Sequence, residues 1–128
     1  MRTKTVLTAA LMAALLTTLL AGTPATPATA APQPRLGACA PGQLCLWPKA
    51  DFKGKAHTHE LSDTDIESCV PLAAGETAQA LANRTGRPVT VYQSAECAET
   101  GEFETYPGRG VWVPQTPYQV RAFKIWER

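Results

Sequence analysis

All four cysteines of the chain, Cys39, Cys45, Cys69 and Cys97, lie beyond a leader-like first segment, and this placement constrains the fold most. An even set of cysteines in a small exported domain is read as disulfides before metal or catalysis. Export itself follows from the order of the first thirty residues. Arg2 and Lys4 give a positive start, residues 6–20 are apolar apart from threonines, and Ala28-Thr29-Ala30 supplies a small-residue cleavage site. A spanning anchor would need about 20 apolar residues, more than this Thr-diluted stretch offers. The expected organisation is therefore a signal peptide over 1–30, a flexible segment over 31–38 and a folded domain over 39–128.

Taking 30 residues from 128 leaves 98, and Arg2 and Lys4 leave with the signal. The 12 basic residues become 10 against 11 acidic ones, a net charge of −1. Nucleic-acid binding is excluded, because neutralising phosphates takes clustered Lys and Arg. A polybasic membrane surface is excluded for the same reason. The mature chain is expected to be secreted and monomeric. A domain of this size buries a modest fraction of its surface, so cross-links help it.

Four cysteines allow three pairings. Ala40-Pro41-Gly42 can turn Cys39 back onto Cys45, which favours Cys39–Cys45 with Cys69–Cys97. Closing the longer span stabilises by roughly 3 kcal/mol on a chain-entropy account. A zinc site is disfavoured, since no Cys-x-x-Cys pair exists.

The apolar spacing has period two. Val89-Thr90-Val91-Tyr92 and residues 102–106 alternate, and residues 120–126 are β-branched and aromatic. Residues 44–47 and 56–61 read the same way. Turn residues between them, including Pro48, Gly54, Gly75, Gly101 and Pro107-Gly108, punctuate an all-β sandwich or barrel. Helix is expected only over 63–68 and 75–82, with Ser62 or Asp63 capping the first. Cys45-Leu46-Trp47 and Thr90-Val91-Tyr92 lie 45 residues apart, each an apolar strand ending in an aromatic. Two supersecondary units sharing one core would produce that repeat.

Trp47-Pro48-Lys49-Ala50-Asp51-Phe52-Lys53-Gly54 matches the aromatic-x4-aromatic-x-Gly signature of the βγ-crystallin Greek key. An aromatic corner packs over a folded hairpin there, and Gly54 holds a backbone position that tolerates no Cβ. With Cys39-Ala40-Pro41-Gly42-Gln43-Leu44-Cys45 before it and the run from Asn83 to Tyr92 after it, the chain resembles peptidase inhibitor family I36. That family comprises small secreted actinobacterial proteins whose founding member inhibits thermolysin-like zinc proteases. The resemblance implies a double Greek-key sandwich in which Trp47, Phe52, Gly54 and Tyr92 are structural. It also implies a secreted peptidase as partner. The second unit departs from the pattern, since Cys97 and Glu99 stand where the aromatic-Gly pair would be.

βγ-crystallins often bind calcium through a carboxylate- and hydroxyl-rich stretch in each unit. Here the first stretch, Thr64-Asp65-Ile66-Glu67-Ser68-Cys69, offers Asp65 and Ser68 in register. The second, Pro117-Tyr118-Gln119-Val120-Arg121-Ala122, offers a cation instead, so a full pair of sites is excluded. One weak calcium site at Asp65 and Ser68 is the most the chain could build, and no cofactor is expected.

No enzyme signature is present. His59-Glu60-Leu61-Ser62-Asp63 opens like the zinc-protease motif but has Asp63 where the second histidine belongs. His57 and His59 share a strand face and could reach one metal, with Glu60 or Asp63 as a third ligand, or could simply be exposed. Asn83-Arg84-Thr85 is formally a glycosylation sequon, though Asn83 more naturally starts the turn before the next strand.

Two classes remain. An inhibitor needs a stiff, disulfide-anchored loop that loses little entropy on binding. Two bonds compete for that role. In the founding inhibitor the reactive loop lies in the second unit, which points to Cys97-Ala98 with Glu99 beside it, although only Cys97 of a local pair is present here. Cys69-Val70 is the rival, because thermolysin-like enzymes favour a bulky apolar residue after the cleaved bond. The alternative class is a non-inhibitory extracellular binding, structural or killer-toxin-like module, for which Trp112 could be either an exposed contact or core.

Overall fold

The computed structural model describes residues 21–22 and 36–128, and the account below concerns these residues of the unit Pro32–Arg128. The signal peptide and most of the 31–38 segment fall outside them. Eight strands follow in order: β1 Gln43–Trp47, β2 His57–Glu60, β3 Val70–Pro71, β4 Ala80–Asn83, β5 Val89–Tyr92, β6 Phe103–Tyr106, β7 Val111–Val113 and β8 Ala122–Ile125. They form two four-stranded antiparallel sheets, ordered β2-β1-β4-β7 and β3-β8-β5-β6.

The 45-residue repeat has a direct meaning here. β1 to β4 form one unit and β5 to β8 the other, and each sheet takes its outermost strand, β7 or β3, from the opposite unit. The two units meet again where Ala78 and Val120 exchange N–H to carbonyl bonds of 2.9 and 2.8 Å, each two residues ahead of its strand, β4 or β8. Neither half could bury its strands alone, so the pair shares one core.

Period-two alternation sends Leu44, Leu46 and Leu81 of the first sheet inward against Val89, Val91, Phe123 and Ile125 of the second. Each such side chain stabilises by about 1.5–3 kcal/mol when removed from water. The other face of the first sheet is covered too. Cys45, Trp47, Ala80 and Ala82 lie there beneath Cys39, Phe52, Ala56 and Trp112. The Trp47 ring is 3% exposed, meets Phe52 edge-on at 5.1 Å and lies 6.4 Å from Trp112. Trp112 is thus part of a packed aromatic cluster, while remaining half-exposed.

Two expected helices are absent from the described residues. Residues 75–82 hold a turn at Gly75 and then β4, because Ala80 and Ala82 are small enough to sit under the aromatic rings while Leu81 fills the interior. Pairing with β1 on one side and β7 on the other overrides the helix propensity of Ala, Leu and Gln. In place of helix over 63–68 there is a 3-10 turn at Leu61–Asp63 and then irregular turns. Its cap is not a side chain of Ser62 or Asp63: Glu60 takes the N-cap position without a side-chain bond. Strands β3, β4 and β7 carry no clear sequence signal and owe their form to their neighbours.

Candidate functional site

Both disulfides pair as the turn at Ala40-Pro41-Gly42 suggested, Cys39 with Cys45 and Cys69 with Cys97. The first ties the N-terminal segment onto the outer face of β1. The second joins the two units, linking the residue before β3 to the β5–β6 hairpin. It therefore gathers Cys69, Val70, Cys97, Ala98 and Glu99 into one place.

The two candidate bonds sit in different backbone. Residues 93–102 fold as consecutive turns: Cys97 N–H donates to Ser94 O at 3.3 Å, Gly101 N–H to Ala98 O at 3.4 Å, and Gln93 N–H to Glu102 O at 2.9 Å closes the hairpin. Cys97 itself is left-handed, with φ 54°. Cys69-Val70, by contrast, leads directly into extended strand. Glu67, also left-handed at φ 58°, reverses the chain with its N–H on Ile125 O, and Val70 then pairs with Phe123 at the edge of the second sheet. Leu72 N–H on Arg121 O at 2.8 Å fixes the far end. Cys69 and Pro71 are exposed, and Val70 is half-buried against the interior cluster.

The departure of the second unit from the aromatic-Gly pattern is also resolved. Cys97 stands five residues after Tyr92, as Phe52 stands five after Trp47, and both are left-handed, with φ 54° and 58°. Ring packing holds the first corner and a disulfide holds the second. Gly54 has φ +87°, and a Cβ there would lie 2.6 Å from Pro48 Cγ, which explains the glycine. Tyr92 is 1% exposed and stacks on Phe103 at 6.0 Å on the outer face of the second sheet.

Asp65 and Ser68 are exposed and line a shallow depression of about 280 Å³ with His59, Asp63, Thr64, Cys69, Val70 and Pro71. Among the described residues no group of three His, Cys, Asp or Glu side chains is placed to hold a metal ion. The corresponding stretch of the second unit has Arg121 exposed between buried Val120 and Ala122. The residues present do not fit a calcium pair.

His57 and His59 do share a face of β2, and each has a different partner. His57 Nδ1 lies 3.3 Å from Glu76 Oε2, and the His59 ring packs on Phe123 at 4.6 Å. His59 Nε2 is buried without a hydrogen-bond partner, and burial, helped by the neighbouring His57, holds its pKa below the ordinary value. Asn83 is wholly buried at the end of β4: its Nδ2 donates to Arg87 O at 2.8 Å and its Oδ1 accepts from Thr85 Oγ1 at 2.7 Å. It organises the turn and is closed to glycosylation in the folded chain.

One surface feature escaped the sequence analysis. Glu96, Glu99, Glu102 and Glu104 all lie on the β5–β6 hairpin with no basic residue from 88 to 108, and Phe103 among them is 45% exposed. The equivalent β1–β2 hairpin carries Lys49, Lys53 and Lys55. The signal was legible as a charge contrast between repeats.

A family model described as "Peptidase inhibitor family I36" matches residues 32–105. No curated protein matches the sequence. Among solved structures, the chain is similar to the βγ-crystallin domain of Abundant Perithecial Protein from Neurospora crassa in its Ca²⁺-bound form. The two are 14% identical with a TM-score of 0.53, over 70% of this chain and 92% of that one. At that identity the likeness bears on the fold, which is a βγ-crystallin-like double Greek key.

Proposed function

The chain belongs to peptidase inhibitor family I36, and from that membership we propose that it is a secreted, monomeric inhibitor of a zinc metallopeptidase, not itself an enzyme. The inhibitory segment is Cys69-Val70 with its flanks. One observation carries the choice of bond: the segment runs into the extended edge strand Val70–Pro71, with Cys69 and Pro71 exposed on either side of half-buried Val70, whereas Ala98 and Glu99 lie in turns. A peptidase binds its substrate in extended form, so a pre-extended segment loses less freedom on docking. The disulfide to Cys97 holds that segment against the second unit. In this reading the exposed part of Val70, whose remainder packs on the interior cluster, supplies the apolar contact after the engaged bond, while Ala98 and Glu99 form the rim.

Secretion rests on the leader-like first thirty residues, and N-terminal sequencing of the exported protein should begin at Ala31. A chain that begins at Met1 would remove the export reading.

Val70→Thr and Ala98→Asp test the bond. Val70→Thr nearly preserves shape and puts a hydroxyl into an apolar subsite, which carries a desolvation cost of about 1–3 kcal/mol. It should weaken inhibition of a thermolysin-like enzyme about tenfold or more, while Ala98→Asp changes it little. The reverse order would move the inhibitory bond to the β5–β6 hairpin. The βγ-crystallin-like module without inhibitory activity is the second reading, supported by the likeness in fold alone.

A further inference from the structure

The histidines of β2 lie on the inner face of one edge of the sandwich, opposite β3. His59 packs on Phe123, the register partner of Val70, and lines the same depressions as Val70 and Pro71. His57 reaches Glu76, in the turn that follows β3. The inhibitory strand is therefore backed by one histidine and its outgoing turn is held by the other. β3 has only two residues and pairs on one side only; the Cys69–Cys97 disulfide anchors its start, while its far end is held by Leu72 N–H on Arg121 O and by the packing behind it.

We propose that His59 makes this strand pH-sensitive, so that its protonation on mild acidification loosens β3 and weakens peptidase binding. A charge at His59 Nε2 meets no partner where the ring now lies. Its Nε2 is shut from solvent without an acceptor, and Phe123 of β8 and Leu44 of β1 are the side chains packed or paired with it. The charged and titratable groups facing it are His57 on its own strand, Glu76 in the turn after β3, and Asp63 and Asp65 across the depression. His57 opposes the new charge, and the carboxylates line the open side, so a protonated His59 reaches them only by moving outward, away from Phe123.

The sign is fixed by the direction of the shift. A histidine whose folded pKa is lowered contributes stability at neutral pH, which declines as pH falls from about 6.5 towards the lowered value. The local form of that loss is opening of β3.

The functional readout rests on the Cys69-Val70 reading, but the structural readout does not. The protection factor of the Leu72 amide, bonded to Arg121 O, reports β3 directly, and that of Gln79, bonded to Trp47 O, serves as reference. Between about pH 7.5 and about pH 5.5, Leu72 should lose about threefold or more in protection relative to Gln79. His59→Phe, or His59→Gln should the first fail to fold, should hold the ratio constant. Inhibition of a zinc peptidase should weaken in parallel, measured as the wild-type to variant ratio so that the enzyme's own pH dependence cancels. A constant ratio in the wild type, or the same fall in the variants, overturns the gate. Absence of inhibition at every pH with the amide behaviour as expected would overturn the inhibitor reading and leave the gate standing.

Discussion

Replacing Trp47 by alanine should remove more stability than any other single change on the outer face of the first sheet. The ring is 3% exposed, closed over by Gly37, where an added Cβ would collide with the indole, and flanked by Phe52 and Trp112 at 5.1 and 6.4 Å. Truncating a buried aromatic of this kind costs about 3–5 kcal/mol, the lost transfer energy plus the cavity left behind. For a domain of this size each kcal/mol lowers the melting temperature by about 4–8 °C, so a fall of about 15 °C or more is expected. Phe52 adds a second layer to the prediction. It holds a left-handed backbone, φ 58°, which an aromatic residue rarely adopts, and the ring packing offsets that strain. Phe52→Gly should therefore be less destabilising than Phe52→Ala, by about 1 kcal/mol. The Trp47/Phe52 double-mutant cycle should show a coupling of about 0.5–1.5 kcal/mol. Urea denaturation with disulfides intact measures all of these. A Trp47→Ala loss below about 1 kcal/mol at unchanged m-value would refute the corner's structural role.

Gly54→Val should destabilise the fold far more than Gly42→Ala, although both glycines have φ +87°, because the first Cβ meets Pro48 and the second meets nothing within 4 Å; equal losses by denaturation would contradict this. Replacing Cys69 and Cys97 together by alanine should cost about 3–4 kcal/mol, from the 28-residue separation they close, and the melting temperature reads it. All three tyrosines should titrate above their ordinary range, Tyr118 last, because its half-buried hydroxyl is desolvated, lies near Tyr106, Glu104 and Glu102, and donates to Val91 O at 2.9 Å. Their folded pKa values are raised, so stability is full below about pH 10 and falls as pH rises beyond it; tyrosinate absorbance against pH is the check.

The fold was legible where local pattern and burial agree. Period two in β1, β5, β6 and β8 marked those strands, and Trp47, Phe52 and Gly54 marked the corner that the structure contains. Ala80-Leu81-Ala82 was misleading, since a run with helix propensity becomes a central strand once aromatic rings need small residues beneath them. β3 and β7 were invisible, because each is the strand lent to the other unit's sheet and its form is set by partners distant in sequence. The disulfides were legible as a set and, through the turn at Ala40-Pro41-Gly42, as a pairing. Cys97 was legible as a disulfide partner but, within the repeat, only as a loss of the aromatic pattern; its left-handed backbone at the place of Phe52 shows a substitution of one tie by another. Nothing in the spacing of His57 and His59 could show that one would lie against Phe123 and the other against Glu76.

Stoichiometric titration of the exported chain into a thermolysin-like peptidase, with a subtilisin-like enzyme alongside, tests the central claim most directly. The account predicts progressive loss of the zinc peptidase's activity, complete near equimolar inhibitor, and a much weaker effect on the serine enzyme. Full activity of both enzymes at a large molar excess of the folded, disulfide-bonded chain would contradict it.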